Sequence, residues 1–227
     1  MIRFEHVGKR YGRFTAVKDL DFAVSAGEVF GFLGPNGAGK TTTLRMVTGL
    51  IQPTRGRIFI GRHDLAREPI EAKALMGFIP DRPYLYEKLS ALELLRFVAG
   101  LYRLPRAEAA PRITALLEQF ELVEWATTLV ENFSHGMKQR LVFAAALLTR
   151  PSLLVVDEPM VGLDPRGMRL VKQIFRDLCA QEGMTVFLST HTLDIAEDVC
   201  DRIAIIHRGD VVAMGDMPSL REAAGAE

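Results

Sequence analysis

The run Gly34-Pro35-Asn36-Gly37-Ala38-Gly39-Lys40-Thr41 carries the most legible chemistry in this chain. It fits G-x-x-x-x-G-K-[ST], the pattern of a phosphate-binding loop. Glycines at these spacings let the backbone curl so that several N–H groups point at one anion. The flanks agree. Residues 29–33 are apolar or small throughout and read as a buried strand, and residues 42–48 read as a helix ending at Gly49. A helix start adds the positive end of its dipole to the loop. In such a loop Lys40 reaches the β- and γ-phosphates, the Thr41 hydroxyl binds Mg²⁺, and Thr42 adjoins them. The loop alone implies a nucleoside triphosphate and leaves the reaction open.

A second pair of residues narrows it. Leu153-Leu-Val-Val156 is continuously apolar, as a strand covered on both faces must be, and it ends in Asp157-Glu158-Pro159. Ligands of open parallel sheets bind at the carboxyl ends of strands, so Asp157 falls on the same edge as the phosphate loop. There it suits Mg²⁺ or its waters. Glu158, one residue on, suits the activation of an attacking water.

The elements that must hold these groups are visible in outline. Residues 2–7 and 19–24 alternate in polarity and read as two strands joined by a glycine-containing loop; residues 57–60 and 75–79 are further strands. From Ser90 to Arg150 the pattern is helical: Ser90-Ala-Leu-Glu93 is a capping box, a second helix covers 106–120, and a third begins near Ser134. Strands return at 153–156, 184–189 and 202–207, with helices from Asp164-Pro165 and near Thr192 between them. The expectation is an α/β chain with a mainly parallel sheet, an N-terminal antiparallel β part and a helical block inserted at about 82–150, all in one domain over 1–227. The Ala-rich tail after Arg221 is expected to fray.

Composition sets the outer bounds. Of 227 residues, 48% are hydrophobic and 25% charged, an ordinary globular balance. Twenty-eight basic residues offset twenty-eight acidic ones, so there is no electrostatic reason to expect nucleic acid as a partner. Cys179 and Cys200 form no C-x-x-C pair and read as free thiols of a reducing compartment. The start, Met1-Ile-Arg-Phe-Glu-His6, reads as a strand and not as a secretory signal. No apolar run approaches the ~18 residues that a membrane span needs. A protein of this kind working at a membrane would be held there by another chain.

With these pieces in order, the sequence resembles the nucleotide-binding subunit of an ABC transporter over nearly its whole length. Phe133-Ser-His-Gly-Met-Lys-Gln-Arg140 is similar to the family's signature segment, Asp157-Glu158 to its Walker B end, Val161-Gly-Leu-Asp164 to its D-loop, and Ser189-Thr-His191 to its switch histidine. Tyr11 stands where the family places an aromatic ring against adenine, with Ala16-Val17 like the segment beside it.

The resemblance implies a P-loop NTPase core that uses ATP and Mg²⁺. Two such domains, a homodimer or a pair of related subunits, pack head to tail around two nucleotides. One supplies Lys40, Thr41, Asp157, Glu158 and His191 to a site; the other supplies Ser134 and the N–H of Gly136. The resemblance further implies separate polytopic permease subunits and a peripheral place on the cytoplasmic face of the cell membrane. The signature, with Asp81-Arg-Pro-Tyr-Leu-Tyr86 upstream, looks more like exporters than importers.

Two positions depart from the family. Asp81 stands in place of a glutamine; it remains a metal ligand but, when ionised, accepts without donating. The signature reads Ser-His-Gly-Met where Ser-Gly-Gly-Gln is usual, keeping Ser134 and Gly136 and placing His135 between them.

Plainer roles stay open for several residues. Tyr11 suits an exposed turn, His191 a loop, and Ser134 and Asp164 simple helix caps. Tyr84, Leu85, Tyr86 and Leu89 suit either packing inside the helical block or a groove for a permease helix. Two other classes remain: a soluble ABC-type ATPase of DNA repair or translation, and a small-molecule kinase.

Overall fold

The computed structural model describes residues 1–81, 84–160, 165–223 and 225. Val29–Leu33 forms strand β3, buried at every position. The reason is coverage on both faces by neighbouring elements, which only an unbroken apolar run satisfies. On one side β3 pairs in parallel with β8 (Thr185–Thr190), and on the other with β9 (Arg202–His207). Strand β7 (Leu153–Asp157) pairs in parallel with β8, in a register that sets Asp157 against Ser189. Leu33 likewise lies against Thr190. These strands therefore deliver their carboxyl ends to one edge, as the apolar runs of the sequence imply.

The full sheet has ten strands in the order β5-β4-β1-β2-β10-β9-β3-β8-β7-β6, adding β1 (Ile2–Tyr11), β2 (Phe14–Val24), β4 (Arg55–Ile60), β5 (His63–Asp64), β6 (Met76–Ile79) and β10 (Asp210–Gly215). Strands β1, β2, β4 and β5 are antiparallel to their neighbours in that group. Strand β10 pairs antiparallel with β9 and meets β2 at one parallel position, Asp210 against Asp19.

The first two strands run longer than the polarity pattern indicates, up to Tyr11 and from Phe14, leaving only Gly12 and Arg13 between them. Register shifts between Phe4 and Val7, Val7 and Lys9, and Lys9 and Arg10 explain the difference. Each bulge breaks the period-two alternation by which a strand is recognised. His6, inside the first bulge, has φ of 48°. Gly56 of β4 approaches it so closely that a Cβ would lie 2.3 Å from the His6 carbonyl oxygen. Short β5, the half-exposed β10 and the short helix α2 (Pro69–Ala74) have too few or too mixed residues to announce themselves.

Two units divide the chain. The first comprises Met1–Phe78, Ser152–Pro159 and Lys172–Glu227. Its core is built on phenylalanine: Phe4 and Phe22 have ring centroids 4.6 Å apart, and Phe30 stacks on Phe187 at 5.8 Å. Leu44, Met46 and Val47 of helix α1 (Lys40–Val47) belong to the same cluster and fix the helix against the strands. Cys179 and Cys200 are free, as expected; burial pushes the Cys179 thiol up to about 11 and raises that of Cys200 further.

The second unit comprises Ile79–Pro151 and Met160–Val171. It holds α3 (Ala91–Leu101), α4 (Arg106–Gln119) and α5 (His135–Leu147). The capping box before α3 is formed as read: Ser90 Oγ accepts from the Glu93 N–H at 3.3 Å, and the Glu93 carboxylate accepts from the Ser90 N–H at 2.8 Å. Phe120 and Phe143 stack at 6.0 Å between the buried faces of α4 and α5.

Helix α6 (Pro165–Glu182), α7 (Leu193–Val199) and α8 (Met217–Ala223) complete the chain. Glu222 and Ala223 are helical, whereas 224, 226 and 227 of the expected fraying tail lie outside the described residues. Among the described residues no helix is long and apolar enough to cross a membrane.

Candidate functional site

The phosphate loop leaves β3 at the edge where β7 and β8 also end. Helix α1 starts at Lys40, preceded by Gly39 with φ of 117°. That value suits glycine, and a Cβ at Gly39 would lie 2.7 Å from the Ala16 carbonyl oxygen. Pro35, Asn36, Gly37 and Thr41 are exposed, Thr42 is half-buried, and Gly34 and Ala38 are buried. Two backbone bonds pin the loop: Gly34 N–H donates to Thr190 O at 3.3 Å, and Gly209 N–H donates to Ala38 O at 2.9 Å. Gly209 O in turn accepts from Lys18 N–H at 2.8 Å, which ties β2 to the loop.

Lys40 folds back on this loop. Its ammonium donates to Gly34 O at 2.7 Å and to Pro35 O at 3.4 Å, and stands 3.7 Å from Glu158 Oε1. The side chain is only 6% exposed, so the charge is largely desolvated and needs these partners. Glu158, 15% exposed, faces His191 on its other side, with His191 Nδ1 at 2.9 Å from the same Oε1. An ionised carboxylate only accepts, so the contact is a hydrogen bond in the states of His191 that carry a proton on Nδ1. Lysine, glutamate and histidine thus form a chain centred on one carboxylate oxygen.

Glu158 holds its place through an uncommon backbone. Its φ is 51°, which for a residue with a Cβ costs about 1–2 kcal/mol. A bond from Glu158 N–H to Ser189 O at 3.1 Å helps hold it. Beside it Asp157 is buried, and Ser189 Oγ donates to its Oδ1. Sequence reading quoted Ser189 only as the start of the Ser189-Thr-His191 segment and gave it no role of its own; its signal was the adjacency of two strand ends, Asp157 and Ser189, which becomes visible only with the register. The donor set fits a hard divalent cation bound through oxygen: the Thr41 hydroxyl at the helix start and the oriented carboxylate of Asp157.

Tyr11 lies at the end of β1, 46% exposed, with the Lys9 ammonium 5.2 Å from its ring centroid. Val17 is fully buried, and its Cγ2 would lie 3.3 Å from a Cβ at Gly39. It therefore backs the loop from below. In the second unit, Ser134 caps α5, its hydroxyl accepting from Met137 N–H at 3.3 Å. Ser134 and His135 are exposed and Gly136 is half-buried at the same helix start; Asp81 is exposed. Asp164, with the rest of 161–164, lies outside the described residues.

The family model for the ABC transporter matches residues 17–161, a span that begins at the loop-backing Val17 and ends just past the Asp157-Glu158 pair. The chain belongs to the ABC transporter ATP-binding family. As an ABC ATPase it is 39% identical over 227 residues to the linearmycin resistance ATP-binding protein LnrL of Bacillus subtilis (strain 168), an alignment covering 100% of this chain and 73% of that protein. A solved ATP-binding subunit of an ABC transporter superposes with a TM-score of 0.92 at 36% identity, covering 99% of this chain and 93% of that one. The dimeric cassette MJ0796, solved bound to ADP and Pi in a post-hydrolysis state, superposes with a TM-score of 0.86 at 26% identity, covering 96% and 99%. ABC ATPases hydrolyse ATP, and as a member of the family the chain is an enzyme of that class.

Proposed function

We propose that this chain drives transport through separate permease subunits by hydrolysing ATP in a site shared between two ATPase copies. The observation that carries the reading is Glu158 held by His191 and Lys40 beside the phosphate loop. Lys40 exchanges the Gly34 and Pro35 carbonyls for phosphate oxygens of the substrate. The loop N–H groups and Thr42 hold the same phosphates, Tyr11 offers a face to the base, and Val17 keeps the loop in shape. Glu158 takes a proton from the attacking water, oriented by the His191 N–H. Thr41 and Asp157 would hold Mg²⁺, with Asp81 as a further oxygen donor. The metal, when bound, neutralises charge on the transferring phosphoryl group.

Ser134 and the N–H of Gly136 complete the partner's site. The start of the thirteen-residue helix α5 is exposed and carries the positive end of a dipole, which suits a terminal phosphate. Asp164 is assigned to the same shared site on the resemblance of Val161-Gly-Leu-Asp164 to the D-loop. Without that partner each half lacks charge stabilisation on one side.

Tyr84 is 94% exposed and Tyr86 62%, with Tyr86 edge-on to Phe97 at 5.1 Å. Large aromatic side chains left in water on one short segment suit an anchor for a short permease helix. That reading places the chain on the cytoplasmic face of a membrane. Export is favoured by the resistance named for LnrL, since resistance is served by moving a toxic compound outward.

The test is retrieval from detergent-solubilised membranes of the native source. A polytopic membrane protein that copurifies, and is lost with Tyr84→Ala/Tyr86→Ala, supports transport; turnover stimulated by nucleic acid, with no membrane partner, replaces it by repair or translation. Asp81→Gln bears on the metal. It is expected to alter turnover and weaken Mg²⁺ dependence by ~3–10-fold, as loss of one charged ligand would; unchanged Mg²⁺ titration and turnover remove Asp81 from the site.

A further inference from the structure

A cavity of about 520 Å³ opens within the second unit between α3 and α4. Leu92, Ala99 and Gly100 of α3, Leu104 of the connection, and Ala109 and Ile113 of α4 make its wall. Small residues create the space: a Cβ built on Gly100 would meet nothing within 4 Å. The volume falls in the ordinary range for small-molecule sites, roughly 300–1,000 Å³.

Arg96 and Arg106, both exposed residues, also line the cavity. Among the described residues neither has a hydrogen bond or ion pair. The acid of α3, Glu93, feels the Arg96 charge through space, but its carboxylate accepts its hydrogen bonds from the N–H and Oγ of Ser90, both at 2.8 Å. Glu108 is two residues beyond Arg106, a spacing that turns it to another face of α4. Helix α4 begins after Pro105, which offers no side-chain cap, so its first N–H groups add positive potential near Arg106. Among the described residues no aromatic or acidic side chain lines the cavity, which disfavours a nucleobase or a cation.

We propose that this cavity binds a single acyl chain with an anionic head, the chain between α3 and α4 and the head at Arg96 and Arg106. The site is separate from the phosphate loop and does not rest on the transport reading. Such a molecule arrives either free in solution or as a chain drawn from a bilayer, and the test distinguishes the two. The full-length protein is titrated by calorimetry with monomeric decanoate, with decanol and decyltrimethylammonium as controls. In parallel it is mixed with phosphatidylglycerol vesicles and floated.

Saturable decanoate binding at least ten-fold tighter than either control supports the site with a free ligand; flotation supports it with a bilayer source. In both arms Gly100→Leu, which fills the space and improves helix propensity, should weaken binding at least ten-fold while keeping a cooperative melt. Arg96→Gln/Arg106→Gln should erase the preference over decanol without closing the cavity. Binding that is equal in Gly100→Leu and the wild type, or equal for decanoate and decanol in the wild type, overturns the proposal. So does the absence of binding in both arms.

Discussion

Glu158→Gln should bind ATP with near-normal affinity, lose about 10²–10⁴-fold in turnover, and accumulate as a nucleotide-bound dimer. The amide keeps the shape of the carboxylate and loses its basicity. In the wild type one oxygen of Glu158 faces both Lys40 at 3.7 Å and His191 at 2.9 Å. Phosphate contacts by the loop do not involve Glu158, so binding should survive. Hydrolysis, which needs a proton acceptor, should not. If the closed pair opens only after cleavage, the variant stays closed. Steady-state phosphate release and light scattering with and without ATP read the two effects together. Wild-type turnover in this variant would mean that another group takes the proton. A variant that hydrolyses slowly yet stays monomeric with ATP would separate the chemistry from the shared-site reading.

Lys40→Met should act earlier, on binding. The wild-type ammonium is 6% exposed and held by two loop carbonyls, at 2.7 and 3.4 Å. Methionine has comparable length without charge. Losing a charge-assisted contact to phosphate removes about 1.5–3 kcal/mol, or roughly a 10–100-fold rise in the ATP dissociation constant. Turnover falls further, because the same charge stabilises the transferring phosphoryl group. Without nucleotide the change in stability should be small: the Pro35 carbonyl turns to water, loss of the donor to the buried Gly34 carbonyl is offset by removal of the desolvated Lys40 charge, and Glu158 keeps its His191 partner. Thermal melts should therefore agree within a few degrees when ATP is absent, and diverge when it is added because only the wild type gains from binding. An undiminished ATP-dependent shift would place the phosphate contact elsewhere.

The two variants also separate what the linear order declares from what folding adds. Lys40 belongs to a contiguous motif whose spacing is itself the geometry, so eight residues suffice to assign it. Glu158 and His191 stand 33 positions apart. Their approach depends on β7 and β8 pairing in parallel, in the register that sets Asp157 against Ser189. No local pattern encodes a register between two strands buried at every position, since neither shows the in-out alternation that would mark a face. The role of Ser189 was missed for that reason.

The N-terminal hairpin was read as two strands, 2–7 and 19–24, but with their inner ends cut short. Register shifts around Val7 and Lys9 break the alternation that marks a strand, so the stretch between them reads as a loop until its partner strands are seen. The helices of the second unit were legible because their signals are local: the capping box at Ser90 and the N-cap at Ser134 are formed by residues within three positions of one another.

The sequence by itself determined the phosphate loop, the order of the motifs, the alternation of strands and helices and hence the family, because each rests on neighbours along the chain or on apolar runs that can only be buried. The tertiary structure alone decided which strand ends meet, and with them the Lys40–Glu158–His191 chain and the serine that orients Asp157. Backbone hydrogen bonding between strands distant in sequence sets those contacts, and the single degree of freedom it fixes, the register, leaves no trace in the residues taken one strand at a time.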